Sequence, residues 1–373
     1  MALVVSGAAP AAAAPAATSS SDWQQWVSLP GVVDVVGPRP DGMLVAAAAG
    51  KLFTVDPATG TTTPFSTYST DPAPESYIAM SPGLDVPAGP TCRFEAGDVF
   101  ALELSTPPLG IVQVTVDGQS GRFVDLPGAE TLTGIAFDTT GRFGNKLLVA
   151  GRKDNKTVLF AIDCRGRVVT LTDSAPVIEG GMQMAPQTFG SHGGDLIGVD
   201  ENTGDVVFIR YDGTSGVLIS SGLPTGGDVG VESLGFVPTD FINRGGTAYM
   251  TDRKSPGAPT EGTDNIWRLN RDALSRVGID DDDLIVSTEG GGRTVIVRCR
   301  ETCRILQLGQ APNAHVEGHI TVVLGPPLPP WGGYLRTGSI MFGVSTLVLI
   351  VGGFILYFVH RKRSPNFREP DPA

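Results

Sequence analysis

Short apolar runs alternate with polar turns along most of this chain. The runs are rich in Val, Ile, Leu and Phe, and Gly, Asp, Asn and Pro bound them, a pattern that predicts β-strands joined by tight turns. The runs recur as a unit of four strands. Units begin near Val32, Tyr77, Thr133, Gly180, Glu232 and Asp283, where the unit from Tyr77 carries a long insertion and the first strand of the unit from Asp283 is unclear.

A repeat of this kind predicts a β-propeller. A period of about 45 to 50 residues with four strands per unit is typical of propeller blades. One four-stranded sheet cannot bury both of its faces, so blades stack around an axis. The sequence therefore predicts an all-β domain over residues 22–323 with six four-stranded blades. The segment His315–Val323 is expected to be an inner strand that closes the ring with the N-terminal unit. A pair of β-sandwiches is the alternative.

An uncharged segment near the C-terminus predicts a transmembrane helix. The 22 residues 338–359 carry no charge, and a helix of that length spans roughly 33 Å, enough to cross a bilayer core. Arg361, Lys362 and Arg363 follow directly, and basic clusters of this kind stay on the cytoplasmic side. We therefore expect a single-pass membrane protein with a stalk at 324–337 and a cytoplasmic tail at 360–373. The propeller would then be extracellular.

The first 21 residues carry features of an export signal. A short apolar run leads into Ala and Pro, with small-residue sites around Ala14 to Ala17. The basic n-region and the longer apolar h-region of a signal peptide are absent. The hypothesis is that the signal begins upstream of Met1, and a disordered Ala/Pro segment is the alternative.

Charge and cysteine content fit an exported protein. The net charge is −12, which argues against nucleic-acid binding, because nucleic-acid binders present a basic surface. Four cysteines in an oxidising compartment predict two disulfides. Cys299 and Cys303 flank three residues of a predicted hairpin, and Cys92 would pair with Cys164 by elimination. A tetrathiolate zinc site is the alternative, but the usual C-x-x-C spacing is absent.

The units also resemble a known group of propellers. The rhythm "GIAFD…G…LLVA…G…L…ID…G", which begins at Gly134, is similar to the irregular repeats of the NHL, SMP-30/gluconolactonase and esterase-like phytase groups. The resemblance covers most of residues 32–323. It implies a propeller fold and, for the active members, a divalent cation held by carboxylate and amide side chains at the mouth of the channel.

Acidic residues at equivalent positions are the first candidate site. Glu75, Glu179, Glu232 and, less regularly, Glu130 each come just before the innermost strand of a predicted blade. Those positions would converge on one mouth of the channel. Because converging carboxylates repel one another, the arrangement favours a bound cation, typically Ca²⁺. Glutamates that simply end loops on a solvated rim are the alternative.

A histidine-containing segment is the second candidate site. In an extended strand, His315, Glu317 and His319 lie on one face. Two imidazoles with a carboxylate can bind zinc or another transition metal. Gly318 lies within the same segment, and a break in the strand at this glycine would separate the three side chains.

Two functions remain open on the sequence alone. One is a membrane-tethered extracellular binding or scaffold module, whose partners would be the lipid bilayer through residues 338–359 and an unknown extracellular protein or small molecule. The other is a metal-dependent hydrolase of a phosphoester, ester or lactone. The first is favoured, because no nucleophile pattern is visible in the sequence.

Overall fold

The computed structural model describes residues 23–87 and 92–326. Within these residues the regular structure is almost entirely β, and the helices α1 (Phe241–Arg244) and α2 (Arg271–Arg276) are short. The predicted all-β class is confirmed. No helix in the described part is long and apolar enough to span a membrane. The predicted signal remnant at 1–21 and the predicted span at 338–359 lie outside the described residues.

The strands are numbered in chain order. The first thirteen are β1 (Gln24–Ser28), β2 (Val32–Val36), β3 (Leu44–Ala48), β4 (Lys51–Val55), β5 (Thr62–Pro64), β6 (Ile78–Met80), β7 (Leu84–Val86), β8 (Cys92–Phe94), β9 (Val99–Glu103), β10 (Gly110–Val114), β11 (Ser120–Asp125), β12 (Thr131–Phe137) and β13 (Leu147–Lys153). The others are β14 (Lys156–Ile162), β15 (Val168–Ala175), β16 (Met182–Met184), β17 (Leu196–Asp200), β18 (Asp205–Ile209), β19 (Ser215–Ser220), β20 (Val231–Phe236), β21 (Gly246–Asp252), β22 (Asn265–Leu269), β23 (Leu284–Thr288), β24 (Thr294–Cys299), β25 (Cys303–Gly309) and β26 (Val316–Leu324).

Four of the sheets have four strands each. Their orders are β2-β3-β4-β5, β6-β9-β10-β11, β12-β13-β14-β15 and β16-β17-β18-β19. The hairpin β7-β8 is the insertion predicted for the second unit. Eight strands form one further sheet in the order β1-β22-β21-β26-β20-β23-β24-β25. Its two halves are joined only where β20 and β26 run parallel, at a bridge between Leu234 and His319.

The innermost strands form a closed circle. Each innermost strand contacts the next one around the axis, in the order β2, β6, β12, β16, β20 and β26, and β26 contacts β2 to complete the circle. The structure is therefore propeller-like. Strand β26 covers most of the segment that was expected to close the ring, and it shares a sheet with the N-terminal strand β1. The prediction that this segment is an inner strand is confirmed.

One predicted unit is divided between two halves of the large sheet. The repeat from Glu232 was expected to place β20, β21 and β22 together. Instead β20 pairs with β23, while β21 and β22 pair with β26 and β1. The grouping of these strands was wrong. The spacing of strands along the chain does not show when the chain adds two strands to a neighbouring sheet before it returns to the first one. Strand β20 is also the first strand that was unclear for the unit from Asp283.

Facing sheets bury apolar side chains between them. The ring of Phe137 in the third sheet meets Phe100 of the second sheet at 5.4 Å and Phe94 of the inserted hairpin at 5.0 Å, both in edge-to-face geometry, the arrangement that aromatic pairs prefer. Such contacts on both faces of a sheet are what stacked blades require.

Both predicted disulfides are present. Cys92 bonds to Cys164 and so joins the inserted hairpin to the third sheet, and Cys299 bonds to Cys303 across the end of the β24-β25 hairpin. Within the described residues no cysteine is free. The tetrathiolate alternative is therefore excluded for these four residues.

Candidate cation site at the channel mouth

The two ends of the channel differ in chemistry. Residues just before or at the start of the innermost strands, such as Glu75, Glu232 and Glu317, meet at one end. Residues at the ends of the same strands line an apolar cavity. We call the first end the acidic mouth. It comprises Glu75, Glu179, Glu201, Asp228, Glu232, Glu289 and Glu317, with Tyr77 and His315.

A buried ion pair lies between the two ends. Nε2 of His319 is 3.1 Å from the Ile135 carbonyl oxygen and 3.2 Å from that of Met182, and Nδ1 is 2.9 Å from Oδ2 of Asp34. Because both ring nitrogens face acceptors, both carry a proton. Burial alone lowers the pKa of His319, but the Asp34 carboxylate and the two carbonyl groups raise it above its usual range. The pair is thus an imidazolium and a carboxylate.

Glycine at position 318 separates the predicted histidine cluster. Gly318 has a φ of +64°, in the left-handed region, and a Cβ atom there would lie 2.5 Å from Oδ1 of Asp34. The alternation of the strand is therefore broken. His315 and Glu317 remain neighbours, with Nε2 and Oε1 3.4 Å apart, whereas His319 turns to Asp34. The structure thus places His319 apart from the other two candidate ligands, which is the separation expected from a break in the strand at Gly318.

Tyr77 is the centre of the acidic mouth. Its hydroxyl oxygen lies 2.8 Å from Oε1 of Glu232, 2.8 Å from Oε2 of Glu317 and 3.2 Å from Oε2 of Glu75. A phenol donates only one hydrogen. If the close contacts to Glu232 and Glu317 are both hydrogen bonds, one of these carboxyl groups must be protonated and donate to the phenol oxygen.

Several buried polar atoms of this cluster have no hydrogen-bond partner. They are Oε2 of Glu232, Oε1 of Glu317 and Nδ1 of His315, and the three residues are only 3%, 1% and 2% exposed. An unpaired buried polar atom is costly, so native structures rarely leave one without a protein, water or ion partner. Oε1 of Glu317 still lies 3.4 Å from Nε2 of His315, so Oε2 of Glu232 is the carboxylate oxygen of this set that has neither a hydrogen bond nor an ion pair.

A second group of possible ligand atoms includes His315, which lies beside Glu317, one of the carboxyl groups that contact Tyr77. Nε2 of His315 lies 2.8 Å from Oε1 of Glu289. One possible ligand atom each from Asp228, Glu289 and His315 lies within 4.8 Å of the others. Asp228 is exposed, while the other two are buried, so this group opens toward solvent.

Mutual repulsion and burial perturb the acidity of the cluster. Burial first, then the charges of Glu317, Glu289, Glu75 and Glu179, raise the pKa of Glu232 well above its usual value. Burial and nearby carboxylates raise the pKa of Glu317 to about 8. Burial opposes protonation of His315, but Glu289 and Glu317 raise its pKa to about 10. At neutral pH His315 is therefore a cation.

Cationic side chains offset only part of the negative charge. Arg253 donates from Nη1 to Oε1 of Glu75 at 2.7 Å, and Arg152 pairs with Glu179. With His315 these make three cationic groups against the seven carboxyl groups of the acidic mouth. Burial and the charges of Glu179 and Glu289 also raise the pKa of Glu201 to about 7. Water can stabilise the exposed carboxylate of Asp228, whereas the buried carboxyl groups call for protons or a metal cation.

The structure brings together most of the predicted acidic residues. Glu75 and Glu232 meet at Tyr77, and the charge of Glu179 acts on Glu232. Glu130 instead is exposed and accepts a 3.3 Å hydrogen bond from the backbone N–H of Asp154, with no contact to Tyr77 among its described hydrogen bonds.

Sequence reasoning missed Tyr77, Glu201, Asp228 and Glu289. Glu201 and Glu289 come directly after β17 and β23, each the second strand of its sheet counted from the axis. The second strand runs antiparallel to the first, so its end lies beside the start of the innermost strand. Polar residues at the ends of second strands are thus the signal that would have found them.

The comparisons find solved structures with some similarity to this chain in three dimensions and little in sequence. Comparison with protein-family models and with curated proteins finds no match. Similar solved structures include virginiamycin B lyase from Staphylococcus aureus, with 13% identity, a TM-score of 0.44 and coverage of 81% of this chain and 95% of that chain. Another is regucalcin, a calcium-binding protein from Agrobacterium tumefaciens, with 16% identity, a TM-score of 0.37 and coverage of 64% and 74%.

These neighbours carry no argument about function, because both TM-scores are below 0.5. Regucalcin is one of the SMP-30/gluconolactonase-like structures among these neighbours. The likeness to the NHL and phytase groups remains a prediction.

Proposed function

We propose that this protein is a membrane-tethered extracellular β-propeller that acts as a binding module and holds a divalent cation at its acidic mouth. The observation that carries the proposal is the convergence of Glu75, Glu232 and Glu317 on Tyr77, with the buried Oε2 of Glu232 left without a hydrogen-bond partner. A cation there would offset the repulsion between the carboxylates and give Oε2 of Glu232 a partner.

A count of six blades fits the sheets best. Four sheets are separate, and the eight-stranded sheet divides at the parallel bridge between Leu234 and His319 into two groups of four strands. Inner strands of neighbouring blades run parallel to each other around an axis, as β20 and β26 do. In this proposal the last blade combines β1 from the N-terminal end with β26 from the C-terminal end, which locks the ring.

The available ligands favour Ca²⁺ over a transition metal. Ca²⁺ takes six to eight oxygen ligands and tolerates irregular geometry, and the acidic mouth offers mainly carboxylate oxygens. The imidazole of His315 is protonated at neutral pH because its pKa is raised to about 10. A protonated imidazole has no lone pair for a metal. The residues therefore fit a calcium site formed by carboxylates, with His315 as a neighbouring charge.

Calcium should raise the melting temperature of the full-length protein, and Glu232→Gln should reduce that response. At a free Ca²⁺ concentration of 100 times Kd, one site adds about 2.7 kcal/mol of stability. In chelator at neutral pH, Glu232→Gln should melt higher than the wild type, because the neutral amide removes the cost of protonating this buried carboxyl group when the chain folds. Thermal unfolding with millimolar Ca²⁺ and with chelator measures both effects.

Glu301→Gln is the matched control, because Glu301 is exposed in the turn between β24 and β25. It should leave the calcium response unchanged. If neither Ca²⁺ nor chelator moves the melting temperature of the wild type, no cation binds and the proposal fails.

Protease treatment of intact cells tests the membrane tether. A protease added to intact cells should remove the propeller by cutting in the stalk at 324–337 and leave the tail at 360–373 protected, because the propeller would face outward. Immunoblotting with antibodies against each end follows both fragments. Protection of the whole propeller would contradict this orientation.

A metal-dependent hydrolase is the second candidate, and one observation favours it. Glu201 and Glu317 have pKa values raised to about 7 and about 8, near the range in which a carboxyl group works as a general acid or base at neutral pH. The purified protein is assayed on generic phosphoesters, esters and lactones with added metals. Zn²⁺-dependent turnover, together with a Zn²⁺-induced melting shift that His315→Ala abolishes, would favour the hydrolase over the binding module.

A further inference from the structure

The end of the channel opposite the acidic mouth contains a cavity that the proposed function does not use. Its volume is about 560 Å³, within the usual range for small-molecule sites. All six innermost strands contribute apolar side chains to its wall. One from each strand is Val36, Met80, Phe137, Met182, Phe236 and Val322. A wall of this kind stabilises an apolar ligand by removing its surface from water.

The two charged side chains in the described lining of the cavity are both engaged by the protein itself. His319 lines the cavity, but Nδ1 faces its counter-ion Asp34, and Nε2 faces the carbonyl groups of Ile135 and Met182. Arg244, at the end of helix α1, also has an interaction partner within the protein. No acidic residue is part of the described lining. A charged ligand would therefore lose its water without gaining a counter-ion, and burial of an unpaired charge is costly.

Gln183 supplies a hydrogen-bond donor to the lining. Its Oε1 accepts a 2.7 Å hydrogen bond from the backbone N–H of Phe236. Because a backbone N–H needs an acceptor, this contact fixes which end of the amide is the oxygen and which is the NH2 group. Nε2 of Gln183 makes no hydrogen bond within the described part of the chain, and the residue lies in the cavity wall. Its NH2 group can therefore donate to an oxygen atom of a ligand.

We infer that this cavity binds an uncharged, largely apolar organic molecule that carries a hydrogen-bond acceptor such as a carbonyl oxygen. The apolar body packs against the six strands, and the oxygen accepts a hydrogen bond from Nε2 of Gln183. A carboxylate or an ammonium group on the same body weakens binding, because the cavity offers no opposite charge that is not already paired. The inference stands apart from the proposed cation site, which lies at the other end of the channel, so either can fail without the other.

The test uses four compounds with the same aromatic body: 1-acetonaphthone (neutral, with a carbonyl acceptor), 1-ethylnaphthalene (neutral, without one), 1-naphthoate (anion) and 1-naphthylmethylammonium (cation). Equilibrium dialysis measures their binding to the full-length protein in nanodiscs of zwitterionic lipid, and the uptake by empty nanodiscs is subtracted. 1-Acetonaphthone should bind saturably at one site, and at least about tenfold more tightly than either charged compound. No saturable binding of 1-acetonaphthone, or equally tight binding of the anion or the cation, would overturn the inference.

Variants locate the bound compound. Met80→Trp should fill the cavity and abolish binding of 1-acetonaphthone, and Val322→Phe serves as the second cavity-filling variant if Met80→Trp does not fold. Gln183→Glu keeps the oxygen that accepts from Phe236 but removes the donor, so it should weaken 1-acetonaphthone by about fivefold relative to 1-ethylnaphthalene. Gln119→Glu is the matched control, because Gln119 is exposed between β10 and β11 and is not part of the described lining; it should change neither affinity. Binding that survives a folded cavity-filling variant, or an unchanged ratio of the two affinities in Gln183→Glu, would refute the site.

Discussion

Replacing Asp34 with alanine is expected to lower the free energy of unfolding by about 3 to 5 kcal/mol, the cost of leaving a buried charge unpaired. Asp34 is fully buried, and its carboxylate is the counter-ion of the His319 imidazolium. Without this carboxylate, His319 has two options. It can lose the proton on Nδ1, which leaves that nitrogen as a buried acceptor without a donor, or it can stay charged without its counter-ion.

The effect is large because the ion pair joins several sheets. Besides His319, the Asp34 carboxylate accepts backbone hydrogen bonds from Val35, from Ile78 at the start of β6 and from His319 itself, at 2.8, 2.9 and 2.9 Å. The ring of His319 donates to carbonyl groups of β12 and β16. One pair thus connects innermost strands from the first, second, third, fourth and eight-stranded sheets.

Equilibrium unfolding by denaturant, followed by tryptophan fluorescence, measures the loss. Asp34→Asn keeps most acceptors and should cost less, so it also serves if Asp34→Ala does not fold. Asp85→Ala is the matched control, because its ion pair with Arg93 is exposed and such pairs contribute about 1 kcal/mol or less. A loss at Asp34→Ala no larger than at Asp85→Ala would show that the central pair does not hold the ring.

The metal-free protein is expected to lose stability as pH rises from 5 to 8. Glu317 has its pKa raised from 4.5 to about 8 in the folded state, so between these values the folded chain holds a proton that the unfolded chain has released. Unfolding then releases protons, and stability falls by about 1.4 kcal/mol per pH unit for each such proton. Glu232, whose pKa is also raised, acts in the same direction.

The histidines steepen this dependence above their unfolded pKa. The pKa of His315 is raised from 6.5 to about 10, so its stabilising contribution is complete below 6.5 and is lost as pH rises through 10. The groups facing Glu317 are Glu75, Glu232, Glu289, His315 and the phenol of Tyr77.

Denaturant unfolding in chelator at pH 5, 6, 7 and 8 measures the slope. Glu317→Gln should flatten it, whereas Glu301→Gln should not. A stability that stays constant or rises over this range would contradict the protonation assigned to the acidic mouth.

The sequence predicted the architecture but not all of the strand pairings. Period and turn residues predicted the four-strand unit correctly, because each strand pairs with its neighbour in sequence through most of the ring. The exception is the pair of strands β21 and β22. They lie between β20 and β23 in sequence but pair with β26 and β1, whereas β23 pairs with β20. Their apolar pattern suits either sheet, so only long-range pairing distinguishes the two.

The residues of the candidate site were also predicted only in part. Glu75, Glu179 and Glu232 were found because propeller geometry sends equivalent positions to one mouth. Tyr77 looks in sequence like any core aromatic, since the three carboxylates around it come from distant parts of the chain. The single left-handed residue Gly318 decides that His319 leaves the cluster, and strand alternation alone predicts the opposite.

Equilibrium dialysis of the full-length protein against Ca²⁺, in an uncharged detergent and after treatment with chelator, tests the cation site most directly. The account predicts saturable binding of about one Ca²⁺ per chain, lost in Glu317→Gln and retained in Glu301→Gln. Both variants remove one carboxylate, so only a site at the acidic mouth distinguishes them. No saturable binding, or binding that Glu317→Gln leaves intact, would contradict the account.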